Sequence, residues 1–178
     1  GQECIRDSLI TPKKRIQAAR LVRAGVSVSM AHDVVKVKMD DSEPFEHDVI
    51  LGAKIGDVGG VGDRYSVKYH GFTHTHIDAL CHIFYKGKMY NGRPSHLVST
   101  SLGATVESVE LAKDGIMSRG ILVDVPMIRG IDWVERGEGV MPEDILAAEE
   151  RCGFKIAEGD VLFIRTGNLR RRNEEGPV

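Results

Sequence analysis

The chain has 178 residues, 42 % of them hydrophobic and 28 % charged, which suits one well-buried domain better than two and an ordinary water-soluble composition. Lys/Arg total 24 against 26 Asp/Glu, a net charge of −2 with the signs mixed along the sequence, so nothing electrostatic calls for nucleic acid or an anionic membrane. No apolar run approaches the ~20 residues that span a bilayer, and the opening GQECIRDSLITPKKR lacks the apolar stretch of a secretory signal. Cys4, Cys81 and Cys152 are odd in number, widely spaced and without a CxxC pair. That speaks against a disulfide framework and a cysteine zinc site, and predicts a reducing, cytoplasmic setting.

Thr11-Pro12 predicts a helix start, with threonine as N-cap and proline at the first position. Ile16, Ala19 and Val22 carry the helical spacing and Gly25 is placed as the stop. Val26, Val28 and Met30 alternate with Ser27 and Ser29 as in a half-buried strand. An acidic loop, Asp40 to Pro44, precedes a strand predicted from His47 to Ile55. The glycine-rich stretch Gly56 to Asp63 is interleaved with Asp57 and Asp63 and leads into a strand rather than a helix. It therefore reads as a hairpin tip or lid, not a phosphate loop. Tyr65 to Asp78 is predicted as one long strand bent at Gly71, followed by turns at Tyr85–Lys88 and Tyr90–Pro94. Gly120–Pro126 and Asp160–Arg165 are compact apolar runs of the central-strand kind, with a helix between them that Pro142-Glu143-Asp144 opens and Gly153 closes. The segment from Arg170 to Val178 offers no closing element after the last strand. The expected arrangement is a single mixed α/β domain over residues 1–178 that lacks its C-terminal part.

The segment Tyr69 to His82, YHGFTHTHIDALCH, concentrates four of the seven histidines and an aspartate. On an extended strand His74, His76 and Asp78 project from one face. Two imidazoles and a carboxylate there suit a divalent ion, zinc, manganese or ferrous iron, with open coordination positions. Such a face is self-repelling when protonated and costly when buried without partners, and a bound cation removes the conflict. His82, four residues beyond Asp78, is placed as a proton-transfer residue. Phe72 and Tyr85 are candidate substrate-facing residues, while Cys81 reads as a buried small residue.

The run THIDALCHIFYKGKMYNG, with RGILVDVP and EGDVLFIRTG downstream, resembles the cyclase family of metal-dependent hydrolases, whose members include bacterial kynurenine formamidase and isatin hydrolase. The opening SLITPKKRIQAARLVRAGVSVSM is similar to the start of a longer-chain branch of that family. The resemblance implies a swivelling β/β/α fold, a homodimer or homotetramer, and hydrolysis of an amide or cyclic-amide C–N bond, with arylformamides of tryptophan catabolism as one option. Against the family signature His-x-Gly-Thr-His-x-Asp-x-Pro-x-His, His76 and Asp78 match a histidine and the aspartate ligand, and His82 matches the catalytic histidine. Phe72 stands where the first histidine ligand falls, His74 replaces the glycine, and Leu80 replaces the proline. His74 is therefore the expected substitute ligand. His70 is the alternative, although six residues of straight strand would put it ~20 Å from His76. The family closes its site with a later histidine and glutamate, and no histidine follows His96 here. Rival readings are an amidohydrolase barrel, a ferrous oxygenase with two histidines and one carboxylate, and a non-catalytic metal-binding module.

Overall fold

The computed structural model describes residues 9–177; Cys4, the rest of the N-terminal segment read for a signal, and Val178 lie outside them. In chain order the described elements are α1 (Pro12–Ala19), β1 (Glu46–Leu51), β2 (Val61–Ser66), β3 (Val98–Ser99), β4 (Gly103–Ala104), β5 (Gly120–Asp124), α2 (Val125–Arg129), α3 (Pro142–Cys152), β6 (Val161–Arg165) and α4 (Asn168–Glu175), linked by short 3₁₀ turns. The class is mixed α/β. Among the described residues the strands form three two-stranded sheets, two antiparallel and one parallel, an arrangement unlike the eight-unit amidohydrolase barrel. No described helix is long and apolar enough to cross a membrane. The chain divides into two compact units, one comprising the N-terminal helix and Ala79–Gly176, the other Val28–Asp78.

In the first unit α1 begins as the sequence dictates: Thr11 Oγ1 accepts the Lys14 N–H at 3.1 Å and Pro12 takes the first position. It ends at Ala19, well before Gly25. The N–H groups of Leu21 and Val22 bond back to Ala18 and Ala19 at 3.0 and 3.3 Å, the tighter three-residue spacing that terminates an α-helix. Parallel strands β5 and β6 pair Gly120 with Val161 through Asp124 with Arg165. Ile121 and Val123 point inward and, with Val125 and Ala148 of α3, form a buried cluster edged by Ile128, Val134, Val140, Phe154 and Ile156. Gly120 lies under the Phe163 ring, which a Cβ there would meet at 2.7 Å and have to displace.

Two carboxylates tie this unit together. The Asp160 side chain is fully buried and accepts from Lys14 Nζ at 2.6 Å, Arg119 Nε at 3.0 Å and the Ala157 N–H at 2.8 Å. The Arg119 guanidinium, more than any other neighbour, holds its carboxyl far below the usual carboxylate range against the opposing effect of burial. Asp144, in the first turn of α3, takes two 2.7 Å bonds from Arg129 and a third from the Met141 N–H. Arg129 first, then the Met141 N–H, lower its pKa from 3.8 to about 2. Gly153 ends α3 in the left-handed conformation at φ +68.

The expectation of an open-ended tail after β6 is corrected: residues 168–175 form α4. Gly167, at φ +80, turns the chain into it where a Cβ would lie 2.7 Å from the Asp132 carbonyl oxygen and 2.8 Å from Trp133 Cα. Arg170–Glu174 and Arg171–Glu175 pairs one turn apart stabilise a helix with little apolar character.

In the second unit β1 and β2 form a hairpin in register Glu46 with Ser66 through Leu51 with Val61, and residues 52–60 close it, with Ile55 and Val58 bonding across a tight turn. The hairpin-tip assignment of the glycine-rich stretch is what the fold contains. One predicted strand is absent and another is cut short. Val26, Val28 and Met30 are exposed and outside any ladder, because alternation alone forms no strand without a neighbour to bond. The long strand expected from Tyr65 to Asp78 ends at Ser66, where β1 ceases to supply partners.

Candidate metal centre

Beyond Ser66 the chain is irregular as far as the 3₁₀ turn Leu80–His82. Gly71 sits at φ +121, a conformation open to glycine and few others. In a straight strand residues 70 and 78 would be roughly 26 Å apart. Here His70 Nδ1 lies 3.5 Å from Asp78 Oδ1. Both residues are exposed, as is His82, four positions beyond Asp78 in the sequence.

His76 stands beside this group. Its ring centroid is 5.3 Å from that of His70 and 5.3 Å from that of Tyr69, which itself lies 4.6 Å from the His70 ring. His76 Nδ1 is 2.8 Å from the His74 carbonyl oxygen. A carbonyl can only accept, so Nδ1 carries the hydrogen, and in the neutral ring Nε2 keeps the lone pair a metal needs.

His74 lies elsewhere. It is 7 % exposed, with Nε2 3.1 Å from the Glu43 carbonyl oxygen, and its buried Nδ1 has no hydrogen-bond partner among the described residues. The neighbouring Thr75 hydroxyl accepts the His32 N–H at 2.9 Å. Thus the structure brings His70 and Asp78 together with His76 alongside, and does not bring the His74 ring to them. The period-2 geometry that put His74, His76 and Asp78 on one face does not apply, because these residues are not a strand. Gly71 is the sequence signal for the reversal that returns His70.

Phe72 and Tyr85 are both 74 % exposed. Tyr85 opens a tight hairpin turn, bonded to Lys88 in both directions at 2.8 and 3.1 Å, with Lys86 and Gly87 at φ +50 and +71. Cys81, between Leu80 and His82, is 1 % exposed, as expected of a packing residue. A concavity of about 590 Å³ beside the hairpin, lined in part by Lys36, Phe45, His47 and Arg64, contains none of these donors. Two of its lining side chains have partners nearby: His47 Nε2 lies 2.7 Å from Asp63 Oδ1 and the Arg64 guanidinium 2.6 Å from Asp48 Oδ2.

The donor set fits a divalent ion. Two imidazoles and a carboxylate are the mixture that zinc, manganese and ferrous iron accept. The 3.5 Å separation of His70 and Asp78 is close to the ~3.4 Å expected between two donors ~2.1 Å from a tetrahedral ion.

Comparison with known proteins bears on the same segment. The sequence model of the family described as "Putative cyclase" matches residues 25–177. A crystal structure of a novel cyclase is similar with a TM-score of 0.80 and 27 % identity, over 96 % of this chain and 58 % of that one. The chain therefore spans less than two thirds of the length of that solved relative. No curated protein matches it.

Proposed function

The chain belongs to the cyclase family, and from that premise we propose that it is a metal-dependent hydrolase acting on an amide or cyclic-amide C–N bond, with arylformamides as the nearest substrate class. The observation that carries the proposal is the approach of His70 Nδ1 to Asp78 Oδ1 at 3.5 Å with the His76 ring beside them. His70 and Asp78 would hold the ion, and His76, its Nδ1 committed to a carbonyl, would offer Nε2 as a further donor. Zinc and manganese both suit this set. Such an ion supplies Lewis acidity, polarising the substrate carbonyl and making water nucleophilic near neutral pH.

The chain's own part is proton management. His82 takes a proton as water oxygen bonds to the carbonyl carbon, and returns it to the nitrogen as the C–N bond breaks. Its exposure lets substrate reach it. Phe72 and Tyr85, both projecting into solvent, are candidates for contact with an aromatic leaving group. Cys81 and Cys152 are free thiols, which supports a reducing, cytoplasmic setting. A small-molecule substrate and a homo-oligomeric state complete the proposal.

Turnover of formanilide-type amides, measured with added zinc or manganese and after chelation, is the test. Metal-dependent release of the amine is expected. Stoichiometric metal binding with no hydrolysis of any amide or cyclic amide tried would instead indicate a metal-binding module.

A further inference from the structure

Glu107 unites three properties. It is 4 % exposed, its backbone is left-handed at φ +57, and its carbonyl accepts the Cys81 N–H at 3.1 Å. A left-handed conformation is unfavourable for a residue with a Cβ and persists only where the surroundings enforce it. Glycine would adopt it freely, so the backbone alone gives no reason for a glutamate here.

The side chain does give one. The Glu107 carboxylate, 2 % exposed, lies 3.7 Å from Arg93 Nε, and a buried carboxylate needs such a cation. Arg93 is itself fixed: its carbonyl accepts the Met89 N–H at 2.7 Å and its N–H reaches the Tyr90 carbonyl at 3.3 Å. Met89 is 4 % exposed. Glu107 thus joins two pieces of chain, the double turn over residues 85–94 through its carboxylate and the turn Leu80–His82 through its carbonyl. Cys81, the residue it grips, is fully buried and immediately precedes His82.

We infer that Glu107 is a positioning residue for His82: the Arg93 ion pair holds residue 107 in its left-handed conformation, and its carbonyl then sets the turn from which His82 projects. The inference rests on the proposed proton-transfer role of His82, and it deepens that role by naming what fixes the imidazole in place.

The test uses the whole chain with Glu107→Gly, Glu107→Gln and Arg93→Ala, reading Cys81 amide hydrogen exchange, the His82 side-chain rotamer by NMR, bound zinc, and kcat and KM. Glu107→Gly relaxes the backbone but removes the carboxylate. It should speed Cys81 exchange by roughly tenfold or more, average the His82 rotamer, and lower kcat roughly 10²-fold with KM and zinc content unchanged. Arg93→Ala should reproduce these effects, and Glu107→Gln, which keeps the shape and a hydrogen bond, should stay close to the unmodified protein in each of them. Unchanged Cys81 exchange and His82 rotamer in both Glu107→Gly and Arg93→Ala would overturn the inference; if Glu107→Gly does not fold, Arg93→Ala decides alone. Absence of amide hydrolysis in the unmodified protein would defeat the proposed function, whereas the exchange and rotamer measurements would still judge Glu107.

Discussion

Asp160 and Asp78 are the same residue in opposite circumstances. Asp160 is sealed from solvent between a lysine, an arginine and a backbone N–H, so its charge is matched by cations the fold carries permanently. Asp78 is nearly half exposed and meets an imidazole at 3.5 Å, a neighbour whose charge depends on a proton or a metal. A closed ion pair of the first kind has its charge satisfied within the fold, and removing one partner leaves the others uncompensated. The second leaves donors facing one another at the surface, where an outside cation can complete them. Burial and permanence of the partner, rather than the carboxylate itself, separate the structural aspartate from the proposed metal ligand.

The sharpest way to break this contrast is to remove one carboxylate at a time. Asp78→Ala should abolish stoichiometric zinc binding, with an affinity loss beyond the ~10–100-fold typical of losing an outer-shell partner, and leave the denaturation midpoint unchanged. Elemental analysis and chemical denaturation measure both, and full metal occupancy in Asp78→Ala would sink the assignment. His70→Ala should behave similarly. His74→Ala, whose imidazole lies apart from the group, should reduce metal content less and stability more.

Next in size is His82→Asn, for which we expect metal content to persist while turnover falls ~10²–10⁴-fold, the usual share of general acid–base catalysis. Loss of the ion in that variant would move His82 from proton carrier to ligand, and steady-state kinetics beside metal analysis tells the two apart.

On the stabilising side, Asp160→Ala strands two basic side chains that share a buried partner. We expect a loss of about 3 kcal/mol in unfolding free energy, with zinc affinity intact. A drop in zinc affinity without a drop in stability would erase the distinction between the two aspartates.

The smallest effect concerns acid. Folding lowers the Asp144 pKa from 3.8 to about 2, so its contribution is complete above the unfolded value and is lost as pH falls from ~4 toward ~2. Asp144→Asn should therefore unfold more easily than the parent at neutral pH, and the two denaturation curves should converge as acid protonates the parent carboxylate. The shift at Asp160 has the same sign and a window reaching lower still.

Much of the fold was legible because its signals are local. Thr11-Pro12 begins α1, Pro142 and Gly153 bound α3, the glycine-rich run closes the β1–β2 hairpin, and two compact apolar runs become β5 and β6. What depends on distant partners was not. The pattern His-x-His-x-Asp has the period of a strand, but β1 begins only at Glu46, opposite Ser66, and no described strand pairs with the residues beyond, so the period has nothing to act on. The residue that reaches Asp78 is His70, eight positions back, through a reversal that only Gly71 announces. Nor does anything local connect Lys14 with Asp160, 146 residues later. The tail after Gly167 looked open-ended because its helix relies on charge pairs one turn apart rather than on an apolar stripe.

Gly167 carries a lesson for anyone who maps this protein by exhaustive mutagenesis. Main chain lies on main chain there, with the space of a methyl group already taken by Asp132 and Trp133, so every replacement at position 167 should score as damaging. In a survival screen such a position is indistinguishable from a member of the reaction machinery, although it contributes no donor, acceptor or charge to any site. Sorting the damaged variants by soluble yield before assaying them would separate the two classes: substitutions at Gly167 should vanish from the soluble pool, and those at Asp78 and His82 should remain in it, folded and inert.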